Sequence, residues 1–562
     1  MEQHTRIIFA AILSVIIITT WQYFIIPQTS EGTHNIEVVE DSEKINLFET
    51  NDNTIIKQGK TIADGYNDHT RVNFENDYIS GSINLIGAQL DNLILKKYQL
   101  DDQSDNVTLL SPEFIGQTNL VKIDWKTSSK NPSAIELPNS ETKWHAIKHT
   151  QNNIIIEWIN KENIRFIIDI TLDDKYMFNI KTIVDTSHAI YALTNEMLRG
   201  HISMQRMRKA EISDSMMLHE GAIGVIDSKL KEINFTDIQS EQYKTTKNQQ
   251  IDWMGFSDKY WLVSVIPTSS NAIGSFFSHF SEQWNDDKFQ MDLYLNKHNL
   301  DEKIIQDSFM LFAGAKSIDI LDSYGQKLNI KMFDRAVDLG FLYFITKPIF
   351  IVLNYFYELI GNFGLAIMLL TVLTKILLFP LAYKSVKSMN NIKKIQPQVT
   401  KLKEQYSDNM LFQQKLLALY KKENVNPASG CLPIILQMPI FFALYKVLYV
   451  TLEMRHAPFF LWIHDLSAPD STTIFNLFGL IQWQPPLFLM IGVLPLLMSL
   501  TMFLQQLMNP QPTDPTQAAM MKLMPLFLLF MFARFPSGLL LYWTWSNILS
   551  IGQQFIIKYL PE

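Results

Sequence analysis

The chain has 562 residues and one cysteine, Cys431, so no disulfide framework can form within a single copy. Its formal net charge of −8 averages two unlike parts: residues 28–338 carry 31 Lys and Arg against 46 Asp and Glu, while the remaining residues carry 17 against 10. An acidic part beside a basic, hydrophobic part points to opposite sides of one membrane, and at roughly 300 residues the acidic part can bury a core without covalent staples.

Arg6 precedes an apolar run, Ile7–Ile26. The run is long for a signal peptide, and no small-x-small site follows in IIPQTSEGT, so residues 1–27 are expected to form an uncleaved transmembrane signal anchor. Residues 28–60 are polar, acidic and aperiodic, as in a flexible tether. From about Arg71 to Lys331 the pattern is that of strands. Ile154–Trp158, Arg165–Leu172 and Met177–Val184 are β-branched runs, separated by turn signals at 160–163 and 173–175. A large β-sandwich domain over 61–338 follows, with few helices, late in the region.

The composition then changes. In Phe341–Ile360, FLYFITKPIFIVLNYFYELI, Lys347, Asn354 and Glu358 recur at spacings of 7 and 4, which puts them on one helical face. Such a helix either spans the membrane or lies in its interface. If it spanned, residues 384–423, with nine lysines against three acids, would fall outside, against the positive-inside rule. Only Gly361 and Asn362 separate it from the next apolar run. The helix 341–360 is therefore expected on the outer surface, its polar face to water. Spans follow at 363–381, 431–452, 486–508, 520–535 and 537–557. With the anchor this gives an α-helical polytopic membrane protein of six spans, its N-terminus in the cytoplasm. Residues 384–430 read as a cytoplasmic helical hairpin, Lys384–Tyr406 with a kink at Pro397 and Met410–Glu423, closed on its own apolar stripes. Its outward lysines suit solvent, anionic lipid or an RNA-rich partner equally. The outer loop 453–485 contains APFFLWIHDLSAPD, whose aromatic residues suit the headgroup level.

Lys375 is the residue out of place. It lies within FGLAIMLLTVLTKILLFPL, residues 363–381, where a charge costs about 2.5–3.5 kcal/mol. It either snorkels to the nearer headgroups or faces a polar intramembrane cavity. Thr371 lies one turn before it, Gln437 sits early in the next span, and Ser546 and Asn547 sit in the last. Together they suggest a wet cavity open to the cytoplasm. Methionines around them offer adaptable apolar surface. No HExxH, GxSxG or P-loop occurs, and His456 and His464 lack the companions of a metal site. No cofactor and no metal are expected, and no enzyme.

The ordered pieces GNFGLAIMLLTVLTKILLFPL, IQPQVTKLKEQY, LYKKENVNPASGCLPIILQMPIFFALYKVL, APFFLWIHDLSAPD, PTDPTQAAMMKLMP and FPSGLLLYWTWSNILSIGQQ resemble the YidC/Oxa/Alb family of membrane protein insertases, of the Gram-negative type. The segment GSINLIGAQLDNLILKKY is similar to that family's large periplasmic domain, a β-sandwich of the sugar-mutarotase type. The resemblance implies a five-span insertase core at 339–562 in the inner membrane. It implies a positively charged hydrophilic groove, open to cytoplasm and lipid, that receives nascent hydrophobic segments and releases them into the bilayer. Lys375 takes a position usually held by arginine, keeping the charge but losing bidentate hydrogen bonding. Thr371, Gln437, Tyr542, Trp543 and Asn547 are the other groove residues implied. Lys393, Lys394, Lys401, Lys403 and Asp514 are implied in cytoplasmic and ribosome contact. The implied partners are nascent membrane proteins, the Sec translocon (SecYEG, SecDF), the ribosome and the lipid bilayer, with no sequence-specific nucleic acid. On this reading the exported domain is largely dispensable for insertion. The competing readings are a secondary transporter with a periplasmic sensor domain and a membrane-anchored carbohydrate enzyme; fold alone does not imply the latter's activity.

Overall fold

The computed structural model describes residues 70–99, 105–112, 119–127, 135–190, 197–208, 218–240, 243–244, 249–269, 271–281, 286–406, 409–423, 425, 432–473, 475, 481, 491–509 and 515–559. The expected anchor 1–27 and tether 28–60 lie outside the described residues, as do Cys431 and Asp514.

Alternation of apolar and polar residues drives the first part of the fold. In Arg165–Leu172, Phe166, Ile168, Ile170 and Leu172 are buried and their neighbours are not. Two antiparallel sheets result. The first runs in the order 71–75, 79–84, 89–99, 119–127, 197–208, 286–299, 273–281 and 243–244, with 106–110 added beside 89–99. The second runs 229–234, 221–226, 251–257, 261–267, 304–315, 177–185, 165–172, 153–159 and 145–149. They pack face to face: Ile83, Leu90 and Ile123 of the first meet Ile170, Phe178 and Leu311 of the second. The expected turns are present. Asn160 accepts the Ile164 amide, and Asp173 accepts those of Lys175 and Met177. The helices of this region are short or late: α1 (Phe235–Ser240) and α2 (Ile318–Lys327). Tyr324 locks α2 to the second sheet, donating to Asp173 at 2.7 Å.

The helical part begins with α3 (Tyr343–Ile360), followed by α4 (Phe363–Leu377), α5 (Phe379–Gln405), α6 (Asn409–Lys422), α7 (Leu432–Val450), α8 (Val493–Leu507), α9 (Pro515–Phe532) and α10 (Ser537–Tyr559). Two residues suffice between α3 and α4. Gly361, at φ +73°, ends one helix, and the Asn362 side chain caps the next by accepting the Leu365 amide. α3 buries Thr346, Ile349, Phe350 and Leu353, while Phe344, Ile351, Tyr355 and Leu359 form an exposed apolar stripe.

Three expectations need correction. The segment 363–381 is not one straight helix, because α4 and α5 meet at Leu378 with a bend of 66°. Pro380, in the first turn of α5, has no amide to donate back into α4. Pro397, where a kink is expected, lies inside α5, which runs on past it to Gln405. The hairpin of α5 and α6 is not closed only on itself, since Val386 and Met389 pack with Ile557, Phe379 and Tyr383. Nor does Lys347 face open water: it pairs with Asp322 at 2.8 Å and Asp334 at 2.7 Å, in the part preceding α3. Burial opposes that charge, but the two carboxylates overcome it and raise the Lys347 ammonium above its ordinary value.

Among the described residues no single helix is long and apolar enough to cross a membrane; α4 and α5 pass together as a bent pair. The shorter apolar helices are Ile435–Val450, Val493–Leu507 and Ala518–Phe532.

Candidate functional site

Three helices build a polar cluster around Lys375. The lysine lies in the last turn of α4, half-buried, just before the bend. Its Nζ donates to Ser550 Oγ on α10 at 2.7 Å and to Gln437 Oε1 on α7 at 3.3 Å. The Gln437 amide in turn donates to Ser546 Oγ at 2.8 Å. Gln553 Nε2 reaches the Lys375 carbonyl at 3.3 Å. Ser546, Ser550 and Gln553 follow one another at i, i+4 and i+7, so one face of α10 supplies all three. Among the described residues, a charge placed among apolar helices is thus held by oriented dipoles rather than by an opposite charge.

The other expected residues fall at varying distance from this cluster. Thr371 is fully buried, and its hydroxyl donates to the Ile367 carbonyl of its own helix at 2.7 Å. That bond stays within α4 rather than reaching the cluster. Tyr542 is buried and faces Gln437. Trp543 and Asn547 lie on an adjoining face of α10: the Trp543 ring packs on Phe441 and Phe532, with centroids 4.7 and 5.0 Å away, and Asn547 donates to Thr501 of α8 at 3.2 Å. Ser550 and Gln553 were missed by sequence reasoning, although their helical spacing from Ser546 was a usable signal. Lys446, a second lysine inside an expected span, was missed as well. It pairs at 2.8 Å with Asp338.

On the far side of the bend, Lys393, Lys394, Lys401 and Lys403 are exposed along α5. Lys393 donates to the Met508 carbonyl at the end of α8, where a cation meets the negative pole of a helix. The residues that could bear a metal do not gather: no cluster of three His, Cys, Asp or Glu occurs among the described residues.

Comparison with known proteins agrees over the whole length. The family described as 60Kd inner membrane protein matches residues 355–561, and that described as YidC periplasmic domain matches residues 71–352. The membrane protein insertase YidC of Rickettsia bellii (strain OSU 85-389) is 42% identical over 572 residues, covering 99% of this chain and 99% of the relative. That of Rickettsia rickettsii (strain Iowa) is 42% identical over 572 residues, covering 98% of each. A solved structure of an active YidC insertase with its first transmembrane domain resolved covers 88% of this chain and 93% of its own, at 17% identity and a TM-score of 0.38. With two family matches that between them take in nearly all of residues 71–561 and relatives alike from end to end, this chain belongs to the YidC family of membrane protein insertases.

Proposed function

We propose that the cluster around Lys375 is the floor of a hydrophilic groove that receives nascent hydrophobic segments and passes them to lipid. The observation that carries this is the lysine's surroundings. Among the described residues its ammonium has neutral partners only, Ser550 and Gln437. A cation without a carboxylate keeps its field available to an incoming acidic group. A hydrophobic segment gains on entering lipid, but its polar flank must cross a region with no water. A polar half-channel shortens that path, and α4 helps: its 15 residues rise only about 22 Å before the bend, against roughly 30 Å of hydrocarbon. No covalent step is required.

The topology that fits is an N-terminal anchor, a periplasmic β-sandwich over 61–338 and a core of five spans over 339–562, with α3 on the outer surface. The exposed apolar stripe of α3 favours the interface over a span. The α5–α6 hairpin then lies in the cytoplasm, where Lys393, Lys394, Lys401, Lys403 and Asp514 are available to a ribosome. The Sec translocon is the other partner proposed.

The test uses one client made with and without an acidic flank, inserted by purified protein in liposomes. Lys375→Arg should behave as the parent. Lys375→Met should slow the acid-flanked client about tenfold, the range of one hydrogen bond to a charged group, and spare the neutral one. Equal, parent-like insertion of both clients by Lys375→Met would sink the reading.

A further inference from the structure

We infer that the periplasmic domain positions the groove through two ionic pins, Asp338 on Lys446 and the pair Asp322 and Asp334 on Lys347. The inference rests on the insertion reading above. Lys446 and Gln437 share α7, nine residues apart. Nine residues are about 13.5 Å of helix and about two and a half turns, which leaves the two side chains on opposite faces. One side of α7 thus meets Lys375 through Gln437, and the opposite side, further along, meets the domain through Lys446.

Asp338 is built to hold that lysine in one place. Its Oδ2 accepts Lys446 Nζ at 2.8 Å and the His219 amide at 3.0 Å, and its Oδ1 accepts the Gly340 amide at 3.0 Å. Backbone donors on both oxygens fix the carboxylate, so the carboxylate fixes the lysine. Burial pushes the Asp338 carboxyl up, but Lys446 and His219 together outweigh it and hold the group below its ordinary value. The close approach needs glycine at 340. Its φ is +72°, and a Cβ there would lie 3.2 Å from Lys446 Cε.

The second pin acts on the other wall. Lys347 on α3 joins Asp322 of α2 and Asp334. α3 packs on α4, where the Tyr357 ring stacks on Phe363 at 3.7 Å, and α4 carries Lys375. The domain therefore touches one helix that presents Gln437 and another that backs the helix presenting Lys375. Two walls referred to one rigid sandwich keep the lysine and the glutamine at hydrogen-bond distance. A tether alone would not.

The test uses full-length Asp338→Asn, Lys446→Gln and Lys446→Arg in liposomes, with two readouts. The first is the insertion rate of a prebound acid-flanked client, set against the amount bound. The second is the distance between spin labels at the exposed positions Ile304 and Ile435. Both neutral variants should insert at least about fivefold more slowly, the low end of coupling between sites. Client binding should change less than about twofold, and the distance distribution should broaden. Lys446→Arg, which keeps the charge, should match the parent in both. Parent-like rates and a parent-like distance distribution in Asp338→Asn and Lys446→Gln overturn the inference. Should Asp338→Asn fail to accumulate, Lys446→Gln decides alone. Failure of the parent itself to insert the client would count against the insertion reading, while the label distances still judge the pins.

Discussion

Lys375 shows how a single residue can be read from sequence and yet be understood only in contact. Its depth in an apolar run marked it, but its hydroxyl partner, Ser550, lies 175 residues away. Ser550→Ala removes the shorter of its two side-chain hydrogen bonds and leaves the charge. It should weaken insertion of the acid-flanked client less than Lys375→Met does, and spare the neutral one, when the two variants are compared side by side in liposomes. Glu453 offers a second test at this scale. Among the described residues its Oε2 is buried without a partner, and burial, with a smaller push from the charge of Asp319, outweighs a backbone hydrogen bond and help from Ser317 and raises its carboxyl to about 7. A carboxylate with a raised folded pKa stabilises most below its unfolded value, and the contribution is lost as pH rises through the folded one. The melting temperature of the detergent-solubilised protein should therefore fall between pH 5 and 8, and Glu453→Gln should flatten that slope. An unchanged slope in Glu453→Gln would exclude Glu453 as its source.

At the scale of elements, helix identity was legible and helix ends were not. The strands Arg165–Leu172 and Met177–Asp185 follow from alternation, which local sequence carries. The end of α4 does not, because the apolar run continues to Leu381 and only the geometry of Pro380 decides where the axis turns. Pro380→Ala restores the missing donor, so the 66° bend should open. Double electron resonance between labels at the exposed positions Leu369 and Lys394 would lengthen in that variant, and insertion should slow as the cluster loses its place at a helix end. An unaltered distance would assign the bend to packing by α10 instead.

For the whole molecule, the sequence reading left the exported domain without a task. The structure sets Asp322, Asp334 and Asp338 against lysines of α3 and α7, and Arg455, which follows α7, donates to the Gln99 carbonyl at 2.6 Å. Removing residues 61–338 strands Lys347 and Lys446 without their carboxylates, and a desolvated charge that loses its partner is costly. The truncated chain should be less stable to heat in detergent than the parent. Lys446→Met should then stabilise the truncated chain while destabilising the full one. The same sign of effect in both chains would show that Lys446 has no carboxylate to lose.

The sequence by itself determined the two unlike parts, the sandwich, the order of the helices and the misplaced charge at Lys375. Periodicity, turn residues and the cost of a buried cation are local or compositional, so a chain read residue by residue displays them. Only the tertiary structure decided that Ser550 and Gln553 belong beside Lys375, that Thr371 turns its hydroxyl to its own helix, and that Lys347 meets carboxylates rather than water. Those outcomes depend on which helix faces which and where a helix bends. Such choices are set by packing between segments, some of them more than a hundred residues apart, where no local pattern reaches.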